Sequence, residues 1–323
     1  MIAACCAALG PPEVVAIQEI DAPQPKTGEV QVAVAEASVN FPDVLLVAGE
    51  YQVKVPPPFV AGSEFVGRIS ALGDGVDGFT VGDRVAATAT TGAFAQFATV
   101  HVRSLRAVPS SVDDATAAAF GVAHRTAMHS LRSVAKLESG EEVVVLGAGG
   151  GVGLAAVELA ALMGAKVTAV ASSPERLAAA VSRGATRTID RTGGDLRATL
   201  KTALPQGADV VIDPVGGAVA LPALRSLGWG GRYVTIGYAS GQIPEIPLNL
   251  VLLKGARVMG FEFRGFLEHA AAEAERNDNE LFDLLASGRV RPHIGATFAL
   301  ADAAAALRYV ADGRAIGKVV IEV

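Results

Sequence analysis

A chain of 323 residues has room for about two domains of ordinary size. With 51% hydrophobic and 19% charged residues it is not a disordered polyelectrolyte, and no uninterrupted apolar stretch reaches the roughly 20 residues of a membrane-spanning helix. A net charge of −6 gives no bulk attraction to nucleic acid or to an anionic membrane.

The opening residues carry no basic leader and reach Gly10-Pro11-Pro12 too soon for a secretory segment, so a cytoplasmic protein is expected. The only cysteines, Cys5 and Cys6, point to opposite faces of an extended strand and are poorly placed to bridge each other. Two thiols also cannot build a four-thiolate zinc site.

About the first 118 residues read as β-rich. Val30, Val32 and Val34 alternate with Gln31, Ala33 and Ala35, and glycines and prolines punctuate every few residues, which predicts a small barrel or sandwich. From Asp113 to Leu131 the apolar spacing is helical. An alternation follows: strand Glu142–Leu146, helix Gly151–Gly164, strand Lys166–Ala171, helix Pro174–Arg183, then strands Asp209–Ile212 and Arg232–Ile236. It predicts βαβ crossovers and a parallel sheet covered on both faces, and the run Val143–Leu146 suits a strand buried on both sides. After about Gly265 come a helix with Leu267, Leu281 and Leu285, a helix at Ala301–Tyr309 and a last strand, Lys318–Val323. The expected division is therefore 1–120 with 266–323 as one domain and 121–265 as the other.

The strongest local signal is the glycine turn between the Val143–Leu146 strand and the helix after it. Its frame is Gly147-x-x-Gly150-x-x-Gly153, with Gly151 and Val152 at the helix start and Ala148 where the strict dinucleotide fingerprint has a glycine. Such a turn lets a pyrophosphate approach backbone N–H groups at the positive end of a helix; the alternative is a tight turn without a ligand. The second strand ends in Ala171 where an NAD site carries an acid on the ribose, and continues Ser172-Ser173-Pro174-Glu175-Arg176. Two hydroxyls and a guanidinium fork suit the 2′-phosphate of NADP(H), while Glu175 is expected to cap its helix or face solvent. Arg176 as an ordinary solvated charge is the bland alternative.

Several segments then resemble the medium-chain dehydrogenase/reductase superfamily, specifically its zinc-free NADPH:quinone oxidoreductase branch. They are Gly10–Val14, Ser38–Asp43, Gly62–Gly67, Val81–Val85, the Gly147–Gly153 turn, Asp213–Gly217, Gly230–Arg232, Ile236–Gly241 and Gly317–Val320, and their order covers nearly the whole chain. The resemblance implies a GroES-like β-barrel domain built from both ends of the chain, a Rossmann domain between them, an active site in the cleft, and a homodimer paired through a Rossmann edge strand such as Ala256–Gly260. Zinc-dependent relatives place metal ligands where this chain has Asn40, Ser63 and, approximately, Val122, so no zinc is expected. NADPH is then expected to deliver hydride without a metal to a quinone or another α,β-unsaturated carbonyl. An enoyl- or haloacrylate-type reductase on the same scaffold is the alternative, and an NADPH-binding structural or RNA-binding protein is an alternative of another class.

By the same resemblance, Asn40 faces the nicotinamide ribose or the substrate, and otherwise is a turn residue before Pro42. Tyr51 lines the substrate pocket, or simply packs; as a phenol of ordinary pKa near ~10 it binds better than it donates. Asp43 is expected to cap a short helix, and Glu64 to pair with a buried base. Thr126, Asp213, Val215, Gly237, Tyr238, Phe261, Phe263 and Lys318 are expected along the cofactor. Arg191 follows Asp190 where relatives often have a tyrosine; it either joins Arg176 at the phosphate or lies in solvent. His124 and His129 are five apart, off a common helical face, and read as core or solvent histidines.

Overall fold

The computed structural model describes all 323 residues. In chain order, unit one opens with β1 (Ile2–Cys6), β2 (Val15–Glu19), β3 (Glu29–Val39), α1 (Phe41–Ala48), β4 (Phe59–Val60), β5 (Glu64–Leu72), β6 (Arg84–Thr88), β7 (Phe97–His101), β8 (Leu105–Ala107) and α2 (Asp114–Ala118). Next come α3 (Gly121–Met128), β9 (Glu142–Leu146), α4 (Gly151–Leu162), β10 (Lys166–Ala171), α5 (Pro174–Ser182), β11 (Arg187–Asp190), α6 (Leu196–Ala203) and β12 (Ala208–Asp213). They lead into α7 (Ala220–Ser226), β13 (Leu227–Thr235), α8 (Leu248–Lys254), β14 (Arg257–Gly260), α9 (Phe263–His269) and α10 (Ala271–Ala286). The chain closes with β15 (Ile294–Ala299), α11 (Ala303–Ala311) and β16 (Lys318–Glu322).

Two compact units result: Met1–Val122 with Arg291–Val323, and Ala123–Val290. In the first, a sheet of order β15-β16-β3-β5-β6-β8, with β7 also on β3, accompanies a small sheet β2-β1-β4. The alternation read at Val30, Val32 and Val34 puts these valines in the core with Phe65, Ile69, Val85 and Phe94. The long β3 bends at register shifts near Gln31 and Val34, which lets one strand pair with β5, β7 and β16. Cys5 and Cys6 are free and buried.

The second unit is a six-stranded parallel sheet of order β11-β10-β9-β12-β13-β14. Val143, Val144, Val145 and Leu146 are fully buried, as expected for a strand covered on both faces. The order reverses at β9, so the glycine turn sits at the carboxyl end of the strand where the sheet changes direction.

Three details differ from the sequence reading. The single helix expected over Asp113–Leu131 is broken at Ala119-Phe120 and ends in a π-helical stretch, His129–Val134, because Asp113 caps α2 and Gly121 starts a new helix. The strand β11 is paired with β10, and α6 follows it with an Asp195 cap; the weak apolar pattern there had hidden the helix. The return to the first unit falls at residue 291 rather than 266. Buried polar pairs hold α10 in the second unit: Arg125 grips Asp278 through two bonds of 2.8 and 2.7 Å, and Asn277 bonds His129 and Ser133.

Candidate functional site

In the second unit the glycine turn is shaped by close approaches. A Cβ at Gly153 would lie 2.1 Å from the Gly147 carbonyl oxygen, so only glycine lets α4 start against the end of β9. Gly150 is the helix N-cap, and the first bond of the α4 ladder runs from the Leu154 N–H to the Gly150 carbonyl at 2.8 Å. The N–H groups of Gly151, Val152 and Gly153 precede that bond and point out of the positive end of a 12-residue helix. Val215, at the end of β12, packs on Gly147.

Across the turn lies Arg176. A Cβ at Gly149 would come within 2.5 Å of Arg176 Cβ and 2.6 Å of its Cγ, so the arginine stem runs over the turn. Arg191 is exposed at the end of β11, and its N–H bonds the Ala171 carbonyl at 2.8 Å, which sets it beside the Ser172 end of β10. Thus the glycine turn, Ser172, Arg176 and Arg191 share one edge of the sheet. A helix N-terminus of this kind is suited to a pyrophosphate, and arginine as a residue type to a further phosphate.

Other expected residues do different work. Ser173 is the N-cap of α5 and accepts from the Arg176 N–H, while its bond with Glu175 holds that exposed carboxyl below its ordinary range. Asp213 is fully buried and organises the β12 turn: Oδ1 accepts from the Val215 and Gly216 N–H groups, and Oδ2 accepts from the Tyr233 hydroxyl. Burial and the neighbouring Asp213 push the Tyr233 phenol up. Asp213 therefore supports the site as a turn former, with no side-chain surface left for a ligand. Gly237 and Tyr238 run alongside it, since the Ile236 and Ala239 N–H groups bond the Asp213 and Pro214 carbonyls, and Tyr238 leans on Gly216.

The Phe261 and Phe263 rings cluster with Phe266 around His129, and Arg125 lies 4.8 Å over Phe263. The Phe261 N–H bonds the Thr235 carbonyl, and Phe263 opens α9 under a Glu262 cap. Thr126 is buried on α3. His124 bonds Glu158 and His129 bonds Asn277, so both are core histidines.

In the first unit, Asn40 is the N-cap of α1: its N–H bonds Asp43 Oδ2 at 2.7 Å and its backbone carbonyl accepts the Asp43 N–H at 3.0 Å. Burial pushes the Asp43 carboxyl up to about 6, against hydrogen bonds from Ser63 and the Asn40 backbone and the charge of Lys318. Glu64 does find a buried base, and that base is Lys318, at 3.1 Å. The cofactor role expected of Lys318 does not match this geometry: its three donors go to Glu64, Asn40 Oδ1 and the Val39 carbonyl. Tyr51 is half-buried on the bend after α1, its N–H bonded to the Leu45 carbonyl. No group of three or more His, Cys, Asp or Glu side chains is arranged to hold a metal ion, and no helix is long and apolar enough to cross a membrane.

Comparison with known proteins agrees with this architecture. Residues 26–110 match the alcohol dehydrogenase GroES-like domain, and residues 151–277 match the zinc-binding dehydrogenase domain. Mouse quinone oxidoreductase-like protein 2 is 36% identical over 99% of this chain and 91% of its own length. The Escherichia coli quinone oxidoreductase complexed with NADPH superimposes with a TM-score of 0.92 at 26% identity, covering 100% of each chain. A mycobacterial protein complexed with NADPH gives 0.93 at 28% identity, again over 100% of each. The chain belongs to the medium-chain dehydrogenase/reductase family, among its quinone oxidoreductase-like members, and is an oxidoreductase.

Proposed function

We propose that this oxidoreductase uses NADPH to reduce a quinone or a related α,β-unsaturated carbonyl, without zinc. The observation that carries the reading is the Arg176 stem lying across Gly149 of the glycine turn. NADPH supplies a hydride when bound. The N–H groups of Gly151, Val152 and Gly153 hold its pyrophosphate, with Gly147 and Gly150 keeping the cradle open. Ser172, Arg176 and Arg191 hold its 2′-phosphate. Val215, Gly237 and Tyr238 border the bound dinucleotide, and Thr126 serves its nicotinamide end.

Asn40 and Tyr51 serve the acceptor. A conjugated acceptor spreads incoming negative charge onto an oxygen, so the protein needs only to orient it, exclude water and donate a hydrogen bond there. An uncharged amide donates without having to lose a proton first, and a phenol binds the second oxygen of a quinone. The positions that hold zinc in zinc-dependent relatives carry an amide, a hydroxyl and a valine here, which are poor zinc ligands. This supports a mechanism in which no metal acidifies a hydroxyl.

The same reading includes a homodimer. Strand β14 is a sheet edge, and beside it Trp229, Leu248, Leu252 and Leu253 are well exposed. An unpaired edge flanked by apolar side chains suits pairing with a second copy. Two buried free cysteines suit a cytoplasmic protein.

The reading is tested by offering the chelator-treated protein NADPH with an o-quinone, an enone and an unsaturated acyl thioester in separate assays. Fastest NADPH loss with the quinone supports it. Turnover confined to the thioester moves the substrate class to acyl chains, and turnover with none removes the reductase assignment.

A further inference from the structure

Four polar side chains of the first unit are almost wholly buried and form one network: Asn40, Asp43, Glu64 and Lys318 are 7%, 1%, 1% and 4% exposed. Glu64 is its hub. One oxygen accepts the Val122 N–H at 2.7 Å, and the other accepts Asn40 Nδ2 at 2.9 Å and Lys318 Nζ at 3.1 Å. Lys318 also donates to Asn40 Oδ1. The Asn40 amide is therefore held at both ends by opposite charges.

An asparagine amide has nearly the same shape after a half-turn, so sterics alone do not choose which end donates. Here the choice is forced. A reversed amide would turn its N–H groups toward the ammonium and its oxygen toward the carboxylate. After the observed bonds, Nδ2 keeps one N–H and Oδ1 keeps one acceptor site.

We propose that Lys318 and Glu64 are a positioning pair, which fixes the polarity of the Asn40 amide so that its remaining N–H is offered to the oxygen of the acceptor. This rests on the assignment of Asn40 to the acceptor. Lys318 has no donor left for the cofactor or the substrate, so its influence on the reaction passes through Asn40. A buried ion pair is an expensive way to hold two strands together, and a neutral pair of similar volume would hold them as well. What a neutral pair lacks is the ability to tell the two ends of an amide apart.

The test is a double-mutant cycle on the full-length protein, read as kcat with NADPH and an o-quinone and as the Kd of NADPH by fluorescence. Asn40→Ala alone is expected to lower kcat about 10-fold or more. The paired variant Lys318→Met with Glu64→Gln leaves no lone buried charge. It is expected to lower kcat about 10-fold in the wild-type background, with the NADPH Kd unchanged within about twofold. Combined with Asn40→Ala, the same pair should cost less than about twofold more. Lys318→Arg gives a second measurement that keeps the charge while moving the donor, and should cost several-fold in the wild-type background only. Equal losses in both backgrounds, no loss in either, or a weakened NADPH Kd overturn the positioning role. If Asn40→Ala alone leaves kcat unchanged, the assignment of Asn40 fails, and the positioning role falls with it.

Discussion

Arg176 lies over Gly149 so closely that a single methyl group there would meet the arginine Cβ at 2.5 Å. Glycine at this position is thus a condition for where the guanidinium goes. In the proposed function, Arg176 on α5, whose stem covers this turn, tells NADP(H) from NAD(H). Arg176→Gln is expected to raise the NADPH Kd about 10- to 100-fold and change the NADH Kd less than about threefold. Gly149→Ala should reproduce part of that selective loss by displacing the stem. Titration of both variants with the two cofactors checks this, and equal weakening of both would remove Arg176 from the phosphate site.

The Arg125–Asp278 pair makes a stability prediction. Burial works to raise the Asp278 carboxyl, but bonds from His129 and Arg125 outweigh it and hold it at about 2. A carboxyl whose folded pKa is depressed contributes stability above its ordinary value near 3.8, and that stability is lost as pH falls toward 2. Arg125→Met leaves the carboxylate buried with one charged partner fewer, and should cost about 3–5 kcal/mol at pH 7 in chemical denaturation. Asp278→Asn should also flatten the acid limb between pH 4 and 2 in a denaturation series.

Glu36 has the opposite sign. It sits opposite Glu322 in the β3–β16 ladder, and one of its oxygens is buried without a partner. Burial first, then the charges of Asp114, Glu322 and Asp113, push its carboxyl up to about 7. The folded state prefers the neutral acid, so its contribution is most favourable below the ordinary pKa near 4.5 and is lost as pH rises to about 7. Glu36→Gln should therefore stabilise the protein by on the order of 1–3 kcal/mol at pH 8, with little effect at pH 4. A variant no more stable than wild type at pH 8 would contradict this.

The exposed apolar face beside β14 predicts self-association. Leu252→Asp with Leu253→Asp should shift the protein from dimer to monomer in sedimentation velocity at micromolar concentration, since both side chains are exposed on α8 and little intramolecular packing is lost. A wild-type protein that sediments as a monomer would refute the dimer.

The parallel sheet was legible because its pattern is local: Val143–Leu146, the glycine turn and Ala171–Arg176 each announce themselves within a few residues. The partner of Glu64 was not, because Lys318 lies 254 positions away and only the strand pairing of β16 with β3 brings it near Asn40. Asp213, at a strand end, and Lys318 are expected along the cofactor by resemblance, and a sequence does not show that their polar atoms are consumed inside the protein. The extent of the second unit was hidden for the same reason, since α10 is held by Arg125 and Asp278, a pair separated by 153 residues.

Metal-free reduction by NADPH is measured most directly as the kcat/KM of NADPH and of NADH for the chelator-treated protein with an o-quinone acceptor, followed by nicotinamide absorbance. Full activity after chelation is expected, with a preference for NADPH of about 100-fold or more, the scale of a paired-arginine phosphate contact. Activity that disappears with chelation and returns with zinc, or equal use of NADH, would contradict it.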